Sequence, residues 1–132
     1  MSNNQNLVKK LELLTPGFIG VWNEWLEEDI NFGDGEEITE HTIFLEYFHF
    51  ISDNIDNLEV KQKELLFEYI EESLTSNDDN LSNAVATCFL ENLAQMYIKY
   101  QPENYFPFLG EKSKVYSREW DKFNGRKTKG LY

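Results

Sequence analysis

Apolar residues recur at helical spacing along almost the whole chain, and the faces they mark predict six helices. Leu7, Leu11 and Leu14 share one side of a short first helix over about residues 5–14. Thr15 and Pro16 read as an N-cap followed by proline at the first helical position, where a missing N–H costs nothing. The second helix runs from there to about Asp29. Its buried stripe is Phe18, Val21, Trp22, Trp25 and Leu26, and Glu24, Glu27 and Glu28 fall off it. A third helix starts at a Thr39 cap and reaches about Ile55, with Ile43, Phe44, Tyr47, Phe48, Ile51 and Ile55 on one face. Leu45 and Phe50 widen that face, which places this helix at the centre of a bundle.

The fourth helix, near residues 59–74, is expected to bury Leu65, Leu66, Tyr69 and Ile70. The fifth, near 81–97, offers Leu81, Val85, Cys88, Phe89, Leu93 and Met96, while Ala84, Ala86 and Ala94 permit close helix approach. A last helix over about 111–123 carries Val115, Tyr116, Trp120 and Phe123, and Gly125 ends it. Glycine and proline are absent from Glu36 through Gln101. Two polar clusters divide that run instead, at 53–57 and 76–80, both rich in the Asp, Asn and Ser that cap helices and form side-chain turns.

These features define a single-domain, all-α bundle of five to six amphipathic helices spanning residues 1–132. Its 41% hydrophobic and 15% aromatic composition excludes an intrinsically disordered acidic protein. One cysteine, Cys88, cannot form an intramolecular disulfide, which suits a reducing compartment. No segment approaches the roughly 20 apolar residues of a membrane span, and the first residues lack a secretory pattern. A cytoplasmic monomer or weak dimer without cofactor is the expectation.

Charge changes the picture most. Between Leu11 and Glu59 there are thirteen Asp and Glu residues and no Lys or Arg. The window extended to Ile98 holds twenty acids against Lys61 and Lys63, and the whole chain is net −12. A block of unpaired carboxylates repels itself, so its field is available to something outside. The balance argues against direct nucleic-acid binding, which depends on neutralising phosphates. The basic residues from Lys112 to Lys129 are interrupted by Glu111, Glu119 and Asp121, and read as a solvated face or an intramolecular partner of the acidic block. The acids expected to meet a partner are Glu27, Glu28, Asp29, Asp34, Glu36 and Glu37, crowded around a loop where helices cannot bury them.

Two constellations raise metal chemistry as the alternative. Glu46 and His49 are spaced i, i+3 on one helical face, as in di-iron bundles, but those need two such pairs and this chain has one. The loop Asp29–Glu40 places acidic or amide residues at calcium-loop positions 1, 3, 9 and 12. Gly33 and Asp34 then stand where a ligand and the turn glycine belong. Cys88 lies in an apolar stripe and reads as packing, as do Trp22 and Trp25. A non-catalytic adaptor is a third reading.

The C-terminal third carries a distinctive pattern: the run from Ala84 to Leu93, then Phe108-Leu109-Gly110-Glu111-Lys112-Ser113, Tyr116, Trp120-Asp121, Phe123, Gly125, Thr128, Gly130 and Leu131. It resembles a family of small uncharacterised bacterial domains similar to the immunity proteins of polymorphic-toxin and contact-dependent inhibition systems. The resemblance covers about 45 residues and implies an inhibitor role; the acidic face adds the expectation that the chain binds and neutralises a basic partner protein, such as a cognate nuclease toxin, by electrostatic occlusion of its active site. It brings no catalytic residues. In physical terms, a stack of Tyr116, Trp120 and Phe123 is expected to dock the last helix, with Gly110, Gly125 and Gly130 allowing tight turns around it.

Overall fold

The computed structural model describes residues 3–28, 38–93, 105–127 and 131. Its elements are α1 (Asn3–Leu14), α2 (Phe18–Glu28), α3 (Glu40–Asn54), a 3-10 turn (Ile55–Asn57) and α4 (Val60–Leu74). They continue with α5 (Asp79–Ala84), a π-helical segment (Val85–Leu90), α6 (Glu91–Leu93), a 3-10 turn (Phe106–Phe108) and α7 (Glu111–Phe123). There is no strand among the described residues, and the chain is an all-α bundle.

The α3 stripe behaves as its spacing demands, with Ile43, Phe44, Tyr47, Phe48, Ile51 and Ile55 all buried. It packs on α1 and α2 on one side and on α5 and the π segment on the other. The π segment in turn meets α4 and α7, so α3 and the α5–π–α6 helix form the spine of the bundle. Phe89 sits at their junction. Its ring lies 6.0 Å from Tyr47, 6.1 Å from Phe48 and 6.4 Å from Phe67. Phe18 packs edge-on to Tyr47 at 4.9 Å and brings α2 into the same aromatic cluster.

Both polar clusters end helices as expected. Gln62 Oε1 accepts from the Glu59 N–H at 2.9 Å at the start of α4. Asp78 caps α5 by accepting from the N–H groups of Asn80 (3.1 Å) and Leu81 (3.3 Å). Gly125, with φ +69°, ends α7. The Arg126 N–H returns to Asp121 O and the Gly125 N–H to Lys122 O, which satisfies the last carbonyls.

Several local expectations are corrected. Thr15 is not the cap of α2. Its hydroxyl bonds Leu11 O at 3.2 Å and Tyr47 Oη at 2.9 Å, closing α1 onto α3. The cap comes from Glu12, whose carboxylate accepts from Gly17 N (3.0 Å) and Ile19 N (2.9 Å), while Gly17 turns the chain at φ +112°. Thr39 precedes α3 in the extended conformation but makes no side-chain capping bond. Val21 and Leu26 of the α2 stripe are exposed.

On α4 the buried face is Leu66, Phe67, Ile70 and Ser73, one residue round from the predicted one, and Leu65 is left 42% exposed. The fifth helix is interrupted by the π segment, which a regular apolar stripe does not announce. Ala84, Val85 and Ala86 are consecutive buried residues because this helix is covered on three sides. Met96 and Ala94 lie outside the described residues.

The docking of α7 differs most. Val115 is 51% exposed and Phe123 82%, while Ser113, Ser117 and Asp121 are buried. A row of small and polar residues at i, i+4 and i+8 lets the helix approach α4 and the π segment closely. The rings of Tyr116 and Trp120 lie at the edge of the contact rather than within it.

Candidate functional site

On α4 three exposed carboxylates share one face. Glu64, Glu68 and Glu72 are exposed at i, i+4 and i+8, so they stand in one row along the helix. Beside them Glu71, Phe67, Pro107, Phe108 and Gly110 complete an open groove of about 500 Å³. The 3-10 turn Phe106–Phe108 builds its far wall. Phe106 is the buried anchor of that turn, Pro107 faces solvent, and Phe108 stacks on Phe67 at 6.5 Å. Lys63 Nζ lies 5.5 Å from the Phe108 ring centre.

Glu71 is not part of the free row, because it caps another helix. Its carboxylate accepts from Lys112 N, Ser113 N and Ser113 Oγ, each at 2.8 Å, so α4 supplies the anion at the N-terminus of α7. This contact explains Gly110. A Cβ there would lie 2.5 Å from Glu71 Cδ, so glycine is needed for close approach, and its φ of −69° requires no special turn. Burial pushes the Glu71 pKa up, but the two amides, the Ser113 hydroxyl and Lys112 outweigh it and hold the carboxyl below its usual range.

A folded-state pKa below the unfolded one stabilises the protein above the ordinary Glu value, about 4.3, and that contribution is lost as pH falls through the folded value. Glu71→Gln should therefore lower stability at neutral pH and flatten its decline below about pH 4.3. Glu71→Ala should cost about 1–2 kcal/mol, as lost helix caps do. Denaturant melts at pH 7 and pH 3 check both, and parallel pH profiles for wild type and Glu71→Gln would contradict the capping role.

Of the acids predicted to meet a partner, Glu27 is exposed near the end of α2. Glu28 is the last residue of α2, and its side chain lies outside the described residues. Asp29, Asp34, Glu36 and Glu37 lie outside them too. The α4 row lies outside the acids expected from the sequence, although its i, i+4 spacing is legible there.

For the metal alternative, His49 is exposed and His41 is bonded to Asn83 Nδ2 at 3.0 Å. Among the described residues no group of three or more His, Cys, Asp or Glu gathers to hold an ion. Cys88 is half-buried, 3.6 Å from the Thr87 hydroxyl.

A second groove, about 530 Å³, runs between α1 and α2, with Val8, Ile19, Trp22, Leu26 and Ile38 as its apolar lining. No helix among the described residues is long and apolar enough to cross a membrane.

A family model matches residues 8–125, from α1 to the glycine that ends α7. The chain belongs to DUF7674, described as a domain of unknown function. Neither a curated protein nor a solved structure matches it. The DUF7674 match takes in α4, the Glu71 cap and the 3-10 turn together, so the acidic groove lies wholly within the family domain.

Proposed function

We propose that this chain is an acidic immunity-type protein that binds a basic partner protein and neutralises it, a nuclease toxin domain being the class of partner that fits. The observation that carries the reading is the exposed row Glu64, Glu68 and Glu72. Like charges at i, i+4 destabilise their own helix by about 0.2–0.5 kcal/mol per pair. They recur about every 6 Å along the axis, a regular line of negative charge such as a nucleic-acid strand presents.

Nuclease sites carry Lys and Arg to hold phosphates, and a line of carboxylates can occupy them in the substrate's place. Complementary fields of this kind raise association rates steeply at low salt. The sequence resemblance to immunity proteins supports the same role. The compartment that goes with it is the cytoplasm of a bacterium, where such a protein meets an incoming toxin.

Two charge-reversed variants test the reading against any basic toxin domain that a neighbouring gene encodes: Glu64→Lys/Glu68→Lys/Glu72→Lys, and Glu28→Lys/Asp34→Lys/Glu37→Lys. The α4 variant should fold, since its exposed charges contribute little to stability, and circular dichroism checks the fold of both. The α4 variant should associate about ten-fold or more slowly at low salt, with a shallower salt dependence. Protection of cells should fall with it. Wild-type rates in both variants would remove the electrostatic mechanism.

A further inference from the structure

The π segment Val85–Leu90 repositions the residues after it. A π turn holds one residue more than an α turn, so later side chains are rotated by about 100° from an unbroken helix. Glu91 is the first of these, its N–H bonding Ala86 O. Its carboxylate meets α7, where Tyr116 Oη donates to Glu91 Oε2 at 2.5 Å. Around this pair, Glu91, Tyr116, Glu119, Trp120 and Phe123 line an open pocket of about 290 Å³.

The walls of the pocket combine aromatic rings with carboxylates. Phe123 is 82% exposed yet stacks on Trp120, with ring centres 5.9 Å apart and planes 18° apart. Two carboxylates face these rings. Glu119 has Lys122 Nζ at 3.9 Å, but both side chains are largely exposed and such pairs are weak. Glu91 receives the Tyr116 hydroxyl on Oε2 alone, which leaves Oε1 able to accept a second donor. Burial first, then the Glu91 hydrogen bond and charge, push the Tyr116 phenol well up, so it stays a donor at physiological pH.

The geometry points to an arginine pocket: the α6–α7 junction takes the guanidinium of an arginine from a partner protein, stacked on the Trp120–Phe123 pair and paired with Glu91 and Glu119. Aromatic faces attract cations within about 6 Å of the ring centre, and carboxylates beside them add the charge-assisted bonds. Guanidinium suits the site better than ammonium because it is planar, weakly hydrated and able to stack and fork at once. A partner with an excess of cations matches a surface of this charge. The pocket is separate from the α4 row, and its occupancy does not depend on that row.

The test is titration of the peptide acetyl-Gly-Arg-Gly-amide into the full chain, followed by the Trp120 indole N–H resonance. Peptides with citrulline or lysine in place of arginine are the controls. The arginine peptide should give a saturable shift centred on Trp120, and the neutral citrulline isostere should bind about ten-fold more weakly. Phe123→Ala and Glu119→Gln should each weaken arginine binding by a similar factor. Both positions are solvent-exposed, Glu119 by 71% of its side chain, so the variants should melt with the wild type. Equal binding of citrulline, or no loss in either variant, would overturn the pocket. Equal binding of lysine would overturn its guanidinium character, and a shift spread over the α4 face without one at Trp120 would leave only general attraction to acid. The α4 charge-reversed protein should retain the Trp120 shift, so failure of this site and failure of the α4 interface read out separately.

Discussion

Phe89→Ala should be among the most destabilising single changes in the chain, at about 3–5 kcal/mol. Its ring touches rings from α3 and α4 at once, Tyr47 and Phe48 on one side and Phe67 on the other. Removing it opens a cavity where the two central helices meet, and three stiff aromatic neighbours cannot collapse into that space easily. Phe123→Ala is the matched control. That side chain stands at the surface, and its loss should stay within about 0.5 kcal/mol. Urea titrations of both variants decide the matter. Equal midpoints would place the core elsewhere, and a changed slope in Phe89→Ala would mean that the denatured or native state itself had altered.

Leu131→Ala should cost about 2–4 kcal/mol, a surprising figure for a residue beyond the last helix. Leu131 is 2% exposed and belongs to the main core cluster, and Arg118 Nε donates to its carbonyl at 2.8 Å. The neighbouring contact of Arg126 Nε with Asp121 Oδ1 at 3.7 Å holds the chain to α7 just after the Gly125 turn. Leu131 therefore helps seat α7, whose own buried face is Ser113, Ser117 and Asp121 and supplies little apolar area. Leu131→Met, which conserves volume, should recover most of the loss. A Leu131→Ala protein that melts with the wild type would show that α7 stands without this anchor.

These two expectations rest on different kinds of information. The six-residue stripe of α3 and the breaks at 53–57 and 76–80 follow from the chain alone, because helical period, capping chemistry and the absence of Gly and Pro are local properties. The charge asymmetry is equally local, and it supplies the field that any partner meets. All-α architecture follows from the same signals.

Tertiary packing decided which face α4 and α7 bury. On α4, Leu65 and Phe67 are equivalent by composition, and Phe67 is inside because Phe89 and Phe108 lie opposite it. On α7, the aromatic face lost to a row of small polar residues, since close approach to α4 matters more there than apolar area. Glu12 caps the next helix across a turn and Glu71 caps α7 across the bundle, contacts that no local pattern announces. The wide turn that rotates Glu91 onto Tyr116 has no residue signature of its own. A chain specifies its local periods directly, but the contacts between distant segments depend on what stands opposite, and only the folded arrangement fixes that.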